Sequence, residues 1–239
     1  MRGVIPVILF LSVGALAQPY LWATWTIPSE SLAALPERAE LLGIPIAQFN
    51  PEKADLVFVG ATDEAELLNQ NAFLYLDNDF FLIGIREGCW NTILRGSAKA
   101  AELVILGEGA PEPLSSLAIL EALGLLPPEG MVELIQMEIP TKLSAPPAGV
   151  RLDPVLWALV GHPDWFSFAQ AQGLERLGLR VRVVAELCGK LSAEWEPFIR
   201  SSTENLAELL LPIPLLPELG KDPAVRIVRP PYAPVPLGG

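Results

Sequence analysis

Apolar runs alternate with polar, helix-type segments along most of the chain, and this alternation predicts its secondary structure. Strand-like runs occur in YLWATWTIP, IPIAQF, ADLVFVG, AELVILG, MVELIQM, PVLWALVG and RVRVVAEL. Helix-type segments follow several of them. One is ATDEAELLNQ, in which Thr62 is the expected N-cap and acids occupy the first turn. Because strands alternate with helices, the pattern predicts an α/β fold with mostly parallel sheets covered by helices.

Several segments carry more specific expectations. ADLVFVG is a continuous apolar run closed by glycine, which predicts a strand buried on both faces. AFLYLDNDFFLIGI predicts two short strands joined by a turn at Asp77 and Asn78. Ser29 or Ser31 is expected to cap a helix that ends at Gly43. The tail segment SAEWEPFIRSSTENLAELLL predicts an amphipathic helix, and a proline-rich end follows it.

The pattern also repeats within the chain. ADLVFVGATDEAELL is echoed by LDPVLWALVGHPDWFSFA, since each has Asp, an apolar run, glycine and a polar turn into a helix. Such an internal repeat predicts two α/β lobes, each with its own sheet.

The order of these segments resembles the periplasmic substrate-binding proteins of ABC transporters, in the branch that serves nitrate, sulfonates, taurine and thiamine pyrimidine precursors. The matching segments are KADLVFVGAT, ELVILGEGAPEPLSSLAILEALGL, MVELIQM, AGVRLDPVLWALVGHPDWF and RVRVVAEL. The resemblance implies a two-lobed, type 2 binding-protein fold in which each lobe is a mostly parallel sheet flanked by helices. It also implies delivery of a small molecule to a membrane permease by a monomer whose cleft closes.

On this resemblance, residues 18–87 and 189–239 form the first lobe, and residues 88–188 form the second. The two cysteines, Cys89 and Cys188, would then lie near the crossings between the lobes, where they could form a disulfide. From the residues alone, a disulfide in an exported protein and two small buried thiols are both open interpretations.

The first 17 residues have the features of a secretory signal peptide. Arg2 precedes the apolar run VIPVILFLSVGALA, and Ala15-Leu16-Ala17 gives a cleavage site before Gln18. The alternative is an N-terminal membrane anchor, but the run is shorter than the ~20 residues that a span needs. The expected location is therefore periplasmic or secreted.

Charge and motifs narrow the function classes. The net charge is −12 and the pI about 4.6, which argues against nucleic acid because phosphate binding needs a basic surface. A G-x-S-x-G elbow and a P-loop are absent from the sequence. One histidine and two distant cysteines argue against a zinc site, which needs several ligands close together. No catalytic residue, metal ligand or cofactor is therefore assigned.

Ligands of open α/β sheets bind beyond the carboxyl ends of strands, against helix N-termini. The turns that follow strands are therefore the expected cleft: residues 26–31, 60–63, 107–112 and 161–165. Candidate ligand-binding residues in or beside them are Trp25, Ser29, Thr62, Asp63, Glu108, Gly109, His162, Asp164 and Trp165. Structural roles are the alternative: core packing for Trp25, packing in the first turn of a helix for Trp165, a backbone contact for His162, an N-cap for Thr62, and a solvated acid for Glu108.

Acids and indoles at these turns favour a flat heteroaromatic ligand, such as a pyrimidine or vitamin precursor, over a small anion. The sequence thus predicts an extracytoplasmic solute-binding protein. Two other functions stay open at this point. One is a secreted interaction or structural module that has lost its small ligand. The other is a small lyase on the same fold.

Overall fold

The structure is a computed structural model that describes residues 18–88, 90–97, 99–107, 115–128, 133–137 and 145–231. The expected signal peptide, Cys89, Glu108 and Gly109 lie outside the described residues. The chain divides into two compact units. We call residues 1–46, 58–74 and 82–140 the N-terminal unit, and residues 47–57, 75–81 and 141–239 the C-terminal unit.

Strands outnumber helices in the described residues. The strands are β1 Gln18–Trp25, β2 Ile46–Asn50, β3 Asp55–Val59, β4 Ala72–Asp77, β5 Phe80–Glu87, β6 Trp90–Ser97, β7 Ala101–Gly107, β8 Glu133–Met137, β9 Arg176–Leu177, β10 Arg180–Leu187, β11 Ile199–Ser202, β12 Leu206–Pro212 and β13 Val225–Arg229. The helices are α1 Ser29–Ala33, α2 Leu35–Leu41, α3 Glu64–Asn69, α4 Ser115–Ala122, α5 Pro154–Gly161, α6 Trp165–Ala171 and α7 Leu216–Lys221, with 3-10 helices at Ala193–Phe198 and Ile213–Leu215.

The strands form two sheets. One has eight strands in the order β3-β2-β4-β5-β6-β7-β1-β8. The other has the order β11-β12-β10-β13, and β9 also pairs with β10. The registers of β1 with β7 and β8, of β6 with β7, and of β10 with β9, β12 and β13 are all antiparallel.

In the N-terminal unit, helix α4 is anchored at both ends by side chains from other elements. Glu87 at the end of β5 accepts hydrogen bonds from the backbone N–H of Ser115 and Ser116 and from the Ser115 hydroxyl. The Ser115 hydroxyl is the main cause that lowers the pKa of Glu87. Just beyond α4, the Arg38 guanidinium donates to the carbonyl of Leu123 at 2.8 Å. These contacts supply partners that a helix end otherwise lacks.

The second sheet and its connections lie in the C-terminal unit. Their chain order is β10, 3-10 helix, β11, β12, α7, β13, and the strand order in terms of these four is 2-3-1-4. This is the ferredoxin-like split βαβ arrangement with its first helix reduced to the 3-10 helix at Ala193–Phe198. Pro197 lies inside that short helix, which explains why it does not extend as an α-helix.

One face of the second sheet forms the core of the C-terminal unit. Side chains alternate between faces along a strand, so directly opposed residues share a face. Val181, Val183 and Ala185 of β10 are fully buried. So are their partners Leu211, Leu209, Ala207 and Val228, and the nearby side chains of α5 and α7 at Leu156, Leu159, Leu216 and Leu219.

A buried ion pair joins the first residue of β10 to the β4–β5 hairpin. The Arg180 guanidinium donates from Nε and Nη2 to both carboxylate oxygens of Asp77, at 2.6 and 2.7 Å. Its carbon Cζ lies 3.5 Å from the centre of the Phe49 ring. Arg180 is 4 % exposed and Asp77 is 1 % exposed. The bidentate hydrogen bonds and the contact with the face of the Phe49 ring together compensate for the hydration that both charges lose on burial.

The prediction of two helix-flanked, mostly parallel lobes is wrong. In the first sheet β1 is antiparallel to both of its neighbours, and the second sheet is an antiparallel sheet of ferredoxin-like order rather than a parallel βαβ series. Hairpins explain the difference. For example, β4 and β5 are joined by two residues, Asn78 and Asp79, and such a short connection produces antiparallel neighbours.

The apolar run PVLWALVG was expected to be a strand, but it is helix α5. Asp153 accepts a hydrogen bond from the N–H of Val155 as the N-cap, and Pro154 occupies the first helical position. A short apolar run has no periodicity that separates a buried strand from a buried helix. The preceding Asp153-Pro154 is a helix-start signal, and it identifies this run as a helix. With α5 a helix, the apparent internal repeat is not a structural repeat.

The expected tail helix is also wrong. Residues 193–212 form the 3-10 helix, β11 and β12 instead. In LAELLLP, the residues Ala207, Leu209 and Leu211 are buried and alternate with Glu208 and Leu210, which is the period of a strand. The run ADLVFVG does form a strand, β3, but at an edge of the first sheet, and Val57 and Val59 are each 46 % exposed.

We predict that Asp77→Ala destabilises the chain by about 3–5 kcal/mol, because it leaves the Arg180 charge buried without its partner. Urea unfolding monitored by tryptophan fluorescence measures this. The control is Glu218→Ala, which removes the exposed ion pair with Lys221 and is expected to cost less than about 1 kcal/mol. Equal losses for the two variants would contradict a stabilising role for the buried pair.

Candidate functional site

The junction of α5 and α6 contains three of the predicted ligand-binding residues: His162 and Asp164 in the turn, and Trp165 as the first residue of α6. Asp164 is the N-cap of α6: its Oδ1 accepts from the N–H groups of Phe166 and Ser167 at 3.0 Å, and its Oδ2 accepts from the Ser167 hydroxyl at 2.6 Å. The carboxylate therefore satisfies free N–H groups of its own helix.

His162 and Trp165 also make contacts at this junction, with residues of both helices. His162 Nδ1 lies 2.7 Å from the carbonyl oxygen of Asp164, and the ring packs against Phe168 with centroids 4.9 Å apart. Trp165 is 5 % exposed, and its indole N–H donates to the carbonyl of Val160. These contacts explain the positions of all three residues through helix capping and packing. Their predicted role in ligand binding stays a prediction.

In the N-terminal unit, Thr62 and Asp63 begin helix α3. The N-cap is Asp63, which accepts from the N–H of Glu66 at 2.8 Å, rather than Thr62 as expected. Thr62 instead donates to the Glu66 carboxylate from its hydroxyl and its N–H, and these bonds hold the pKa of Glu66 below its ordinary value. The result is a reciprocal cap of the capping-box type.

Trp25 and Ser29 lie elsewhere in the N-terminal unit. Trp25 is the last residue of β1, opposite Ala101, and is half-buried. Ser29 is exposed at the start of α1, whose N-cap is Pro28 and has no side-chain hydrogen bond, so neither Ser29 nor Ser31 caps this helix. The structure thus brings together Thr62 with Asp63, and His162 with Asp164 and Trp165.

The second sheet has a face that the sequence analysis did not single out. We call it the open face: Arg182, Val184 and Glu186 of β10, Leu206, Glu208 and Leu210 of β12, and Ile227 and Arg229 of β13. The register places all eight on the side opposite the buried core. None of them is buried, and Leu206 is 42 % exposed.

Charges on the open face are neutralised in pairs. Arg182 Nε donates to Glu208 at 2.8 Å, and Arg229 Nε donates to Glu186 at 2.9 Å. Arg182 also donates to Glu175, and its hydrogen bonds to Glu208 and then to Glu175 raise the pKa of Arg182. The face is therefore a mixture of aliphatic side chains and paired charges.

Both edges of this sheet are protected from pairing with another strand. At β13, the N–H of Asp153 donates to the carbonyl of Val228, and the N–H of Val228 donates to the carbonyl of Arg151. At the other edge, β11 has four residues and its register with β12 shifts between Ile199 and Ser201. Covered, short and irregular edges resist strand addition.

A groove of about 830 Å³ lies at one end of the same sheet, and we call it the terminal groove. It is lined by the segment after β10, the β11–β12 turn and one side chain of β13, including Cys188, Lys190, Ser192, Thr203, Glu204 and Arg226. The Cys188 thiol is exposed and lies 3.4 Å from the carbonyl oxygen of Ala224. Since Cys89 lies outside the described residues, the disulfide stays a prediction.

Asp222 supports the wall of the terminal groove. Its carboxylate accepts from the Ser192 hydroxyl at 2.7 Å, the Trp195 indole N–H at 2.9 Å and the Ala224 N–H at 2.8 Å. Burial acts to raise the pKa of Asp222, but the hydrogen bonds, led by that of Ser192, together outweigh it and hold the pKa below its ordinary value.

The described residues contain no helix long and apolar enough for a membrane span, and no group of three or more His, Cys, Asp or Glu side chains positioned to hold a metal ion. Comparison of the chain with protein-family models, with curated proteins and with solved structures gave no match.

We predict that Asp164→Ala destabilises the chain by about 1 kcal/mol, since it removes the N-cap of α6. Asp164→Ser should recover most of this loss, because a serine hydroxyl accepts the same backbone N–H bonds. Thermal unfolding of the three proteins measures the difference. A serine variant as unstable as the alanine variant would argue against the capping role.

The Asp222 network predicts an acid-sensitive contribution to stability. A lowered folded-state pKa stabilises the fold above the unfolded value of about 3.9 and loses that stabilisation as the pH falls through the folded-state pKa. We expect Asp222→Asn to cost about 1–3 kcal/mol at pH 7, because it weakens the bonds to Ser192 and Trp195. The difference from the wild type should shrink below pH 4 in urea unfolding, and a difference independent of pH would contradict this.

Proposed function

We propose that the chain is an extracytoplasmic interaction module whose open face binds a partner protein. The observation that carries this proposal is an antiparallel sheet with one fully buried face and one accessible face of aliphatic side chains and paired charges. The location outside the cytoplasm follows from the predicted signal peptide.

The chemistry of the open face favours contact with another protein. Val184, Leu206, Leu210 and Ile227 supply apolar surface between the two ion pairs. The four charged residues of these ion pairs already have partners within the face. A protein that covers the face therefore buries no unpaired charge. Arginine and aliphatic contact surface are both common in protein interfaces. The alternative is a face that simply meets water, as many antiparallel sheets do.

The two edge strands of the second sheet, β11 and β13, are poor sites for binding another protein, so the open face is the better site. The segment at Arg151 and Asp153 bonds to β13, and β11 is short and irregular. Addition of a strand at either edge is therefore disfavoured. Side-chain contact across the open face is the remaining way for this sheet to bind another protein.

The size of the open face limits the strength of binding. Three strands about 4.8 Å apart, over five residues at about 3.4 Å each, cover roughly 250 Å². A stable interface needs about 800 Å² from each partner. The open face alone therefore supports a weak, transient contact, and a stable complex must also use the surface beside it.

A second candidate function is binding of a small solute. The terminal groove, at about 830 Å³, has the size of typical small-molecule sites, which span about 300–1,000 Å³. The closing two-lobed cleft expected from the sequence cannot be its mechanism, because that fold is wrong. Delivery of a solute to a membrane permease stays a prediction. A thermal-shift panel of pyrimidines, vitamins and sulfonates tests this candidate, and stabilisation by one compound would favour it.

We predict that Leu206→Lys removes most binding of the partner protein without loss of stability, because it places a charge in the apolar part of the open face. The wild type and the variant are each incubated with extracytoplasmic proteins of the source cells, and bound proteins are then chemically cross-linked and recovered. Leu126→Lys is the matched control, since Leu126 is 40 % exposed and Leu206 is 42 % exposed, but Leu126 lies in the N-terminal unit.

The expected result is a discrete cross-linked species with the wild type and with Leu126→Lys, and its loss with Leu206→Lys. Capture that is equal for all three proteins, or lost only with Leu126→Lys, would contradict the open face as the binding surface.

A further inference from the structure

A smaller groove of about 280 Å³ adjoins the open face, and we call it the arginine groove. Arg182, Glu208 and Leu210 belong to both surfaces. The other lining residues include Glu175, Arg176 and Arg200. The groove is therefore positioned to extend any contact made on the open face, which by itself is too small for a stable interface.

The three arginines of this groove differ in what they already bind. Arg182 is held between the carboxylates of Glu175 and Glu208, at 2.6 and 2.8 Å. Arg176 donates to the carbonyl of Gly178 at 2.7 Å, and its guanidinium lies 3.9 Å from the centre of the Phe166 ring. Arg200 is exposed, and among the described residues it has no ion-pair partner.

We propose that the arginine groove receives a glutamate or aspartate side chain of the partner protein, and that Arg200 is the residue that selects it. This inference rests on the proposed function. A guanidinium presents a planar set of donors that matches a carboxylate, and of the three arginines Arg200 has its charge available for a new carboxylate. Because the two acids of the groove are already bound to Arg182, they leave the Arg200 charge available to the incoming group.

The aliphatic side chains beside the arginine groove argue for a protein side chain rather than a free acid. The net charge of −12 repels small anions from the surface. An acidic side chain attached to apolar neighbours overcomes this repulsion, because Val184, Leu206 and Leu210 contact those neighbours on the adjoining open face. The ligand is therefore a segment with both aliphatic and acidic residues.

Two matched fluorescent peptides test this inference on the full mature chain. One short peptide carries leucines and glutamates, and the other carries glutamine at each glutamate position. We expect fluorescence anisotropy to show at least about fivefold tighter binding of the glutamate peptide, as one charge-assisted hydrogen bond provides. Arg200→Gln should remove this preference. Arg226→Gln, an exposed arginine of the terminal groove, should retain it.

Four results would overturn the inference: no binding of the glutamate peptide, equal binding of the two peptides, a preference that survives in Arg200→Gln, or displacement of the peptide by glutarate at the peptide's own affinity. The variant Leu206→Lys separates this failure from failure of the proposed function. If it weakens both peptides while Arg200→Gln changes neither, the open face stands and the arginine groove is excluded. If Leu206→Lys leaves both peptides bound as before, the proposed function fails.

Discussion

The buried ion pair between Asp77 and Arg180 is the constraint on which the C-terminal unit depends. Arg180 lies on the same side of β10 as Arg182 and Val184, yet it is buried, because Asp77 and the Phe49 ring cover it. A charge is stable in a protein interior only with a partner of this kind. The pair therefore fixes the β4–β5 hairpin against the start of β10, and it marks the point where the accessible part of that face begins.

Beyond Arg180, the two faces of the second sheet have different roles. One face buries Val183, Leu209 and their neighbours in the core of the C-terminal unit, and so stabilises the unit. The Asp222 network then secures the 3-10 helix to the turn before β13. On the other face none of the eight open-face side chains beyond Arg180 is fully buried, and the charged ones form ion pairs with one another. In the proposed function, this accessible face contacts a partner protein. Arg200 in the adjoining arginine groove then binds an acidic side chain of that partner.

The sequence predicted strands β1, β7 and β10 correctly, because no Asp-Pro or similar helix-start signal precedes their apolar runs. It failed where a short apolar run had to be assigned by its flanks: Asp153 and Pro154 start a helix, while Pro197 ends one and Ala207, Leu209 and Leu211 alternate as a strand. The resemblance to two-lobed binding proteins used the first of these runs, PVLWALVG, as one of its matching segments. The open face was visible in RVRVVAEL as alternating valine and charge, but its position beside β12 was not, since pairing depends on the whole topology.

Hydroxyl-radical footprinting of the open face tests the central claim most directly. Val184, Leu206, Leu210 and Ile227 should be oxidised in the isolated chain and protected once the captured partner is bound. Leu41 and Leu126, which are exposed in the N-terminal unit, should be oxidised equally in both states. Open-face side chains that are already protected in the isolated chain, or that stay oxidised in the complex, would contradict the account.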